Sequence, residues 1–124
     1  QPVVLCAAKG LPGLRMGQAA RQAAAGGRLL AISPFDDNVR RTTAAQAVQR
    51  NDLVAALSEI VLVPHAAHGG KTWTTVEVAL TRGQVVCTLE DDENTALVQQ
   101  GARAVEVQHL IDLVTLQTNE GNAI

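Results

Sequence analysis

The chain is predicted to fold as α/β, with a parallel sheet of about five strands and helices on both faces. Three observations predict it. Short apolar runs alternate with longer helix-period segments five times along the 124 residues. Glycines punctuate the alternation, as at Gly26-Gly27, Gly69-Gly70, Gly83 and Gly101, where helices end or turns begin. Hydrophobic residues make up 47% of the chain and aromatics only 2%, so the core has to be Val, Leu, Ile and Ala. That composition suits helix-on-sheet layers better than an aromatic-rich β-sandwich. Strict alternation implies parallel strands joined by right-handed crossovers, with the chemistry on loops that follow strand C-termini.

Taken in order, Val3 to Ala7 is the first strand, and Lys9 to Gly13 a turn. A helix is expected over Leu14 to Ala25, then a strand over Leu29 to Ser33. After the polar loop Pro34 to Arg41, Thr42 or Thr43 caps a long helix running to about Ser58. Ile60 to Val63 is an unbroken run of β-branched residues and Leu, which suits a strand buried on both faces. His65 to Gly70 is a small, glycine-ended turn. A helix starts at Lys71, with Trp73, Val76 and Leu80 at i, i+3 and i+7. Val85 to Leu89 is the fourth strand, Asn94 to Gln100 a short helix, and Ala104 to Val107 the fifth strand. A last helix covers His109 to Gln117, and Thr118 to Ile124 is a frayed tail. One domain over residues 1–117 is the expected organisation.

The unit from Ala56 to Leu80 organises the rest. Strand, glycine turn, helix is how open α/β sheets hold an anion, because glycine lets backbone approach and the helix start offers unpaired N–H groups. Net charge is −2 and the isoelectric point about 5.9, so no global basic field holds a polyanion and a local patch has to do it. Cys6 and Cys87 both fall in strands, which favours reduced, buried thiols over a disulfide or redox pair. No signal peptide and no apolar run near about 18 residues is present, as in a soluble cytoplasmic protein that makes no membrane contact. The chain opens straight into a strand without an initiator Met, as a fragment or processed product does.

Several residues carry two readings. Gly70-Lys71-Thr72 has the end of a P-loop, but that pattern needs Gly where His65 stands. His65 and His68 lack a nearby Cys, so loop histidines are favoured over metal ligands. Asn51 lies on a small, apolar helix face with Ala47, Val54 and Ser58, and serves either a structural hydrogen bond or a ligand. Arg50 shares a face with Leu53 and Leu57, where its stem can cover apolar surface. Trp73 is placed for core packing, with base stacking as its other role. Glu90 to Glu93 reads as a solvated turn that caps the next helix and sets four negative charges near the ligand edge.

In sequence order, Leu30-Ala31-Ile32-Ser33-Pro34, Arg50-Asn51-Asp52, Ala56 to Val63, Gly69 to Trp73 and Leu97 to Ala102 resemble the motifs of DprA/Smf-type DNA-processing proteins. The resemblance spans about residues 28 to 103 and departs at Asp52, where that family has Arg. It implies a Rossmann-like fold, and binding of single-stranded DNA or a nucleotide without catalysis or cofactor, with a recombinase as partner. The family's first half has no counterpart here, so a homo-oligomer or association with a missing half-domain is expected. The candidate phosphate-binding residues are Lys9, Gly10, Ser33, Arg40, Arg41, Arg50, Asn51, His65, Gly69, Gly70, Lys71 and Thr72. No catalytic residue and no metal is assigned.

A related family, the LOG-type nucleoside monophosphate phosphoribohydrolases, is similar around Arg50, Ser58-Glu59 and Pro64. Glu77 falls one residue later than that family's acid, and one residue turns a helix by about 100°, aiming the carboxylate away. A phosphoribohydrolase is the enzymatic alternative. A sheet-completing scaffold subunit that binds nothing itself is the third.

Overall fold

The computed structural model describes residues 2–112 and 115. Its first strand, β1 (Val3–Cys6), pairs in parallel with β2 (Leu29–Ile32), Val3 lying opposite Leu29 and Cys6 opposite Ile32. A 3₁₀ turn, Leu11–Gly13, and helix α1, Gln18–Ala25, connect them, and α1 packs on β2. Helix α2 follows over Ala44–Leu57. A second parallel sheet is ordered β3–β4–β5, made of Ile60–Leu62, Val85–Leu89 and Arg103–Val105. Helix α3, Lys71–Thr81, links β3 to β4 and packs on β4; helix α4, Thr95–Gln100, leads to β5.

The single five-stranded sheet expected from the sequence is thus corrected to sheets of two and three strands. Alternation dictates that strands joined by one helix lie in parallel, which holds for β1–β2, β3–β4 and β4–β5. It does not dictate a ladder between those sets, and none joins them among the described residues. The chain forms two compact units that meet in sequence at Val54 and Ala55.

Most predicted elements sit within two residues of their expected bounds, and α1 departs furthest. Pro12 falls in the opening of the 3₁₀ turn, whose C-cap Leu14 is extended (φ −76°, ψ 123°), so the helix starts only after the Gly17 cap. Helix α2 opens as a capping box: Thr43 Oγ1 accepts from Gln46 N–H at 3.2 Å, and Thr43 N–H donates to Gln46 Oε1 at 2.8 Å. After β5 the chain is helical over 107–112, two residues earlier than expected. The rest of the expected His109 to Gln117 helix, Thr115 apart, and the Thr118 to Ile124 tail lie outside the described residues.

The second unit has a continuous core. Val63, Ala66, Trp73, Val76, Ala79, Val86, Leu97 and Ala102 are each at most 6% exposed. Strand β3 is not buried on both faces as its composition suggests: Ile60 and Leu62 are each 39% exposed. It is an outer strand of its sheet, and β4, the middle strand, takes the buried positions instead. Cys6 and Cys87 are buried free thiols in β1 and β4.

Candidate nucleic-acid interface

In the first unit the loops that follow β1 and β2 interlock through backbone. Ser33 Oγ donates to the Lys9 carbonyl at 2.7 Å and accepts from Phe35 N–H at 3.1 Å. The Gly10 N–H donates to the Val39 carbonyl at 2.8 Å. Gly10 is buried because the other loop lies where its side chain would be: an added Cβ would stand 2.4 Å from the Asp36 carbonyl oxygen and 2.9 Å from Asp37 Cα. The backbone of Gly10 and the hydroxyl of Ser33 therefore hold the loop that carries Arg40 and Arg41.

Lys9 and Arg40 converge on Gly13. Their Cδ atoms lie 3.7 and 3.8 Å from the position of a Gly13 Cβ, so two cationic stems flank one glycine. Arg40 and Arg41 are exposed and Lys9 is half-buried. Arg50, on α2, is half-buried and committed inward. Its Nε donates to Asn51 Oδ1 at 2.8 Å and its Nη1 to the Cys6 carbonyl at 3.4 Å. Arg50 thereby ties α2 to the C-terminal end of β1, and Asn51 orients the guanidinium.

In the second unit, His65, Gly69, Gly70, Lys71 and Thr72 lie between β3 and the start of α3. Gly69 takes φ +74°, a left-handed turn that only glycine adopts without strain. Gly70 is the N-cap of α3 and carries no side chain to satisfy the first turn. The N–H groups of Lys71, Thr72 and Trp73 have no preceding helical carbonyl, so the helix start keeps donors and a positive dipole end, with Lys71 and Thr72 exposed beside it. Trp73 is 3% exposed, its Nε1 donates to Glu77 Oε1 at 3.0 Å, and the exposed His68 ring lies over it with centroids 4.6 Å apart. The indole is a core residue with His68 as its outer cover.

Sequence reasoning missed Asn94. It sits at the α4 N-cap position yet makes no capping bond. Its side chain is turned inward and 2% exposed. Nδ2 donates to the carbonyls of Pro64 at 2.8 Å and Leu89 at 3.0 Å, and Oδ1 lies 3.2 Å from His65 Nδ1. One amide thus joins the ends of β3 and β4 and reaches the turn before α3. Its place at the start of a short helix gives no sequence signal of these long-range bonds. The acidic run behaves as a turn: Asp91 caps it by accepting from Glu93 N–H at 2.8 Å, and Glu93 Oε2 stands 4.0 Å from His65 Nδ1. Among the described residues no group of three or more His, Cys, Asp or Glu is placed to hold a metal ion. No helix among them is long and apolar enough to cross a membrane.

A family model described as DNA recombination-mediator protein A matches residues 16–115, which takes in every site candidate from Ser33 onward and leaves out Lys9 and Gly10. Nothing matches among curated proteins or among solved structures.

Proposed function

The chain belongs to the DNA recombination-mediator protein A family, the DprA type, with a role in DNA recombination and processing, and from that premise we propose that it binds single-stranded DNA without catalysing a reaction on it. The observation that carries the reading is the open start of α3: a glycine N-cap with no side-chain partner, following a left-handed glycine, with Lys71 and Thr72 exposed. Such a terminus receives phosphate oxygens. Lys9, Arg40 and Arg41 offer cations on the strand-end loops of the other unit. A recombinase is the partner that a recombination role calls for, and the cytoplasm its compartment. Self-association fits the apolar side chains that β1 and β3 leave exposed.

Two features favour binding over nucleotide hydrolysis. Glu77, the carboxylate a phosphoribohydrolase would need, is engaged with the Trp73 indole on α3. Arg50, its cationic partner in that chemistry, is engaged with Asn51 and the Cys6 carbonyl.

The test is salt dependence. Each cation that faces a phosphate adds about 0.7 to the magnitude of the log–log slope, so Lys9, Arg40 and Arg41 contribute about −2.1 in the first unit and Lys71 about −0.7 in the second. Arg41→Ala and Lys71→Ala should each flatten the slope by about 0.7 and weaken all sequences equally, since phosphate contacts carry no base information. Binding that ignores salt and oligonucleotide length would overturn the reading. Free base released from a nucleoside monophosphate would replace it with hydrolysis.

A further inference from the structure

Asn94 leaves His65 a single neutral form. Both amide protons of Asn94 face carbonyl oxygens, Pro64 at 2.8 Å and Leu89 at 3.0 Å, and a carbonyl only accepts. The amide orientation is therefore settled, and Oδ1 is the atom that meets His65 Nδ1 at 3.2 Å. An amide oxygen also only accepts, so Nδ1 must carry the hydrogen. Glu93 Oε2, 4.0 Å from the same nitrogen, pulls the same way. Which ring nitrogen is protonated follows from the hydrogen bond the other makes. Nε2 is then bare, on a side chain 54% exposed, in the turn that leads to α3.

We propose that His65, positioned by Asn94, presents Nε2 as an acceptor for the amino groups of unpaired bases. This inference rests on the single-strand-binding reading and adds a base contact to it. Charge says why a base is read there and not a phosphate. The carboxylate of Glu93 stands beside the ring, with Asp91 and Asp92 on the same turn. A phosphate would be repelled, whereas adenine N6, cytosine N4 or guanine N2 brings the hydrogen that Nε2 lacks. His68, in the same loop, packs tilted against Trp73 and leaves His65 as the ring held by a polar partner. Lys71, at the start of α3, supplies phosphate contact.

Nitrogen-15 NMR of the full chain at about pH 8, where an imidazole is neutral, tests the tautomer without any ligand. The expected result is a protonated-type shift at His65 Nδ1 and a bare-type shift at Nε2, with both forms mixed in Asn94→Ala. A wild-type His65 protonated on Nε2 overturns the proposal, whatever the protein binds. The second arm compares oligo(dA) or oligo(dC) with an abasic phosphodiester strand of equal length. His65→Ala should weaken the base-bearing strand by about threefold to tenfold, the range of one hydrogen bond. The abasic strand and the salt slope should stay unchanged. Equal loss on both strands overturns the proposal. If the wild type binds neither strand, the single-strand reading itself has failed, and the NMR arm still decides the tautomer. Should Asn94→Ala not fold, the wild-type tautomer and the His65→Ala pair decide alone.

Discussion

Gly10→Ala is the substitution whose cost the structure defines most sharply. The new methyl carbon would stand 2.4 Å from the Asp36 carbonyl oxygen, 2.9 Å from Asp37 Cα and 3.0 Å from the Asp37 carbonyl carbon. All three are backbone atoms, so no side chain can swing aside, and the loop from Pro34 to Arg41 has to move. Overpacking of this kind costs about 1–3 kcal/mol. The move also breaks the 2.8 Å bond from Gly10 N–H to the Val39 carbonyl, worth about 1 kcal/mol. Together these give about 2–4 kcal/mol. For a chain of this size 1 kcal/mol is about 4 °C in Tm, so the drop should be about 8–16 °C. Gly13→Ala is the control, three residues away on the same turn. Its methyl would meet Lys9 Cδ at 3.7 Å and Arg40 Cδ at 3.8 Å, ordinary contacts. Removing a glycine from the unfolded chain should then leave it as stable as wild type or more so, by up to about 1 kcal/mol. Melting followed by circular dichroism distinguishes the two. A Gly10→Ala protein that melts within about 2 °C of wild type, or a Gly13→Ala protein equally damaged, would refute the interlocked loops.

Two further outcomes follow from the second unit. Gly70→Asp puts a carboxylate on the α3 N-cap, where Asp is favoured over Gly by a few tenths of a kcal/mol, against a Cβ placed 3.1 Å from the Ala67 carbonyl oxygen. Stability should barely change while single-stranded DNA affinity falls about tenfold or more, the effect of about 1.4 kcal/mol; full affinity in a titration would make the turn structural only. Gln84 Nε2 donates to the carbonyls of Ala55 and Ser58 at the end of α2. Gln84→Ala, by taking that donor away, should cost about 1–3 kcal/mol in a urea titration, and an unshifted midpoint would remove Gln84 from the fold's supports.

Periodicity and glycine placement made the elements legible, because both act within a few residues. The run of Val85 to Leu89 and the start of α3 at Lys71 needed no tertiary information. The α1 start did, since the 3₁₀ turn around Pro12 competes with a helix over the same residues. Burial of β3 was misjudged for a related reason. Ile60 to Leu62 has the composition of a central strand, but exposure is set by which neighbours a strand acquires, and among the described residues β3 pairs with β4 alone. Division of the strands between two sheets is likewise a question of neighbours.

Charge and reach explain the candidate site. Sequence places cations and glycines on strand-end loops, and the structure separates those facing solvent, Arg40, Arg41 and Lys71, from those spent on the fold. Arg50 has the residue type of a phosphate ligand, yet its Nε and Nη1 hold Asn51 and the Cys6 carbonyl, so it fixes the strand end from which Lys9 departs. Ser33 and the Gly10 amide do the same for the loop opposite. Asn94 extends the pattern to the second unit, where one buried amide joins two strand ends and sets the proton on His65. In each unit the residues that shape the strand-end loops are hydrogen-bonded to backbone carbonyls or amides, whereas Arg40, Arg41 and Lys71 are exposed. The single-stranded-DNA binding proposed above would use that division of labour: charge and amides for phosphates, and an oriented acceptor for bases.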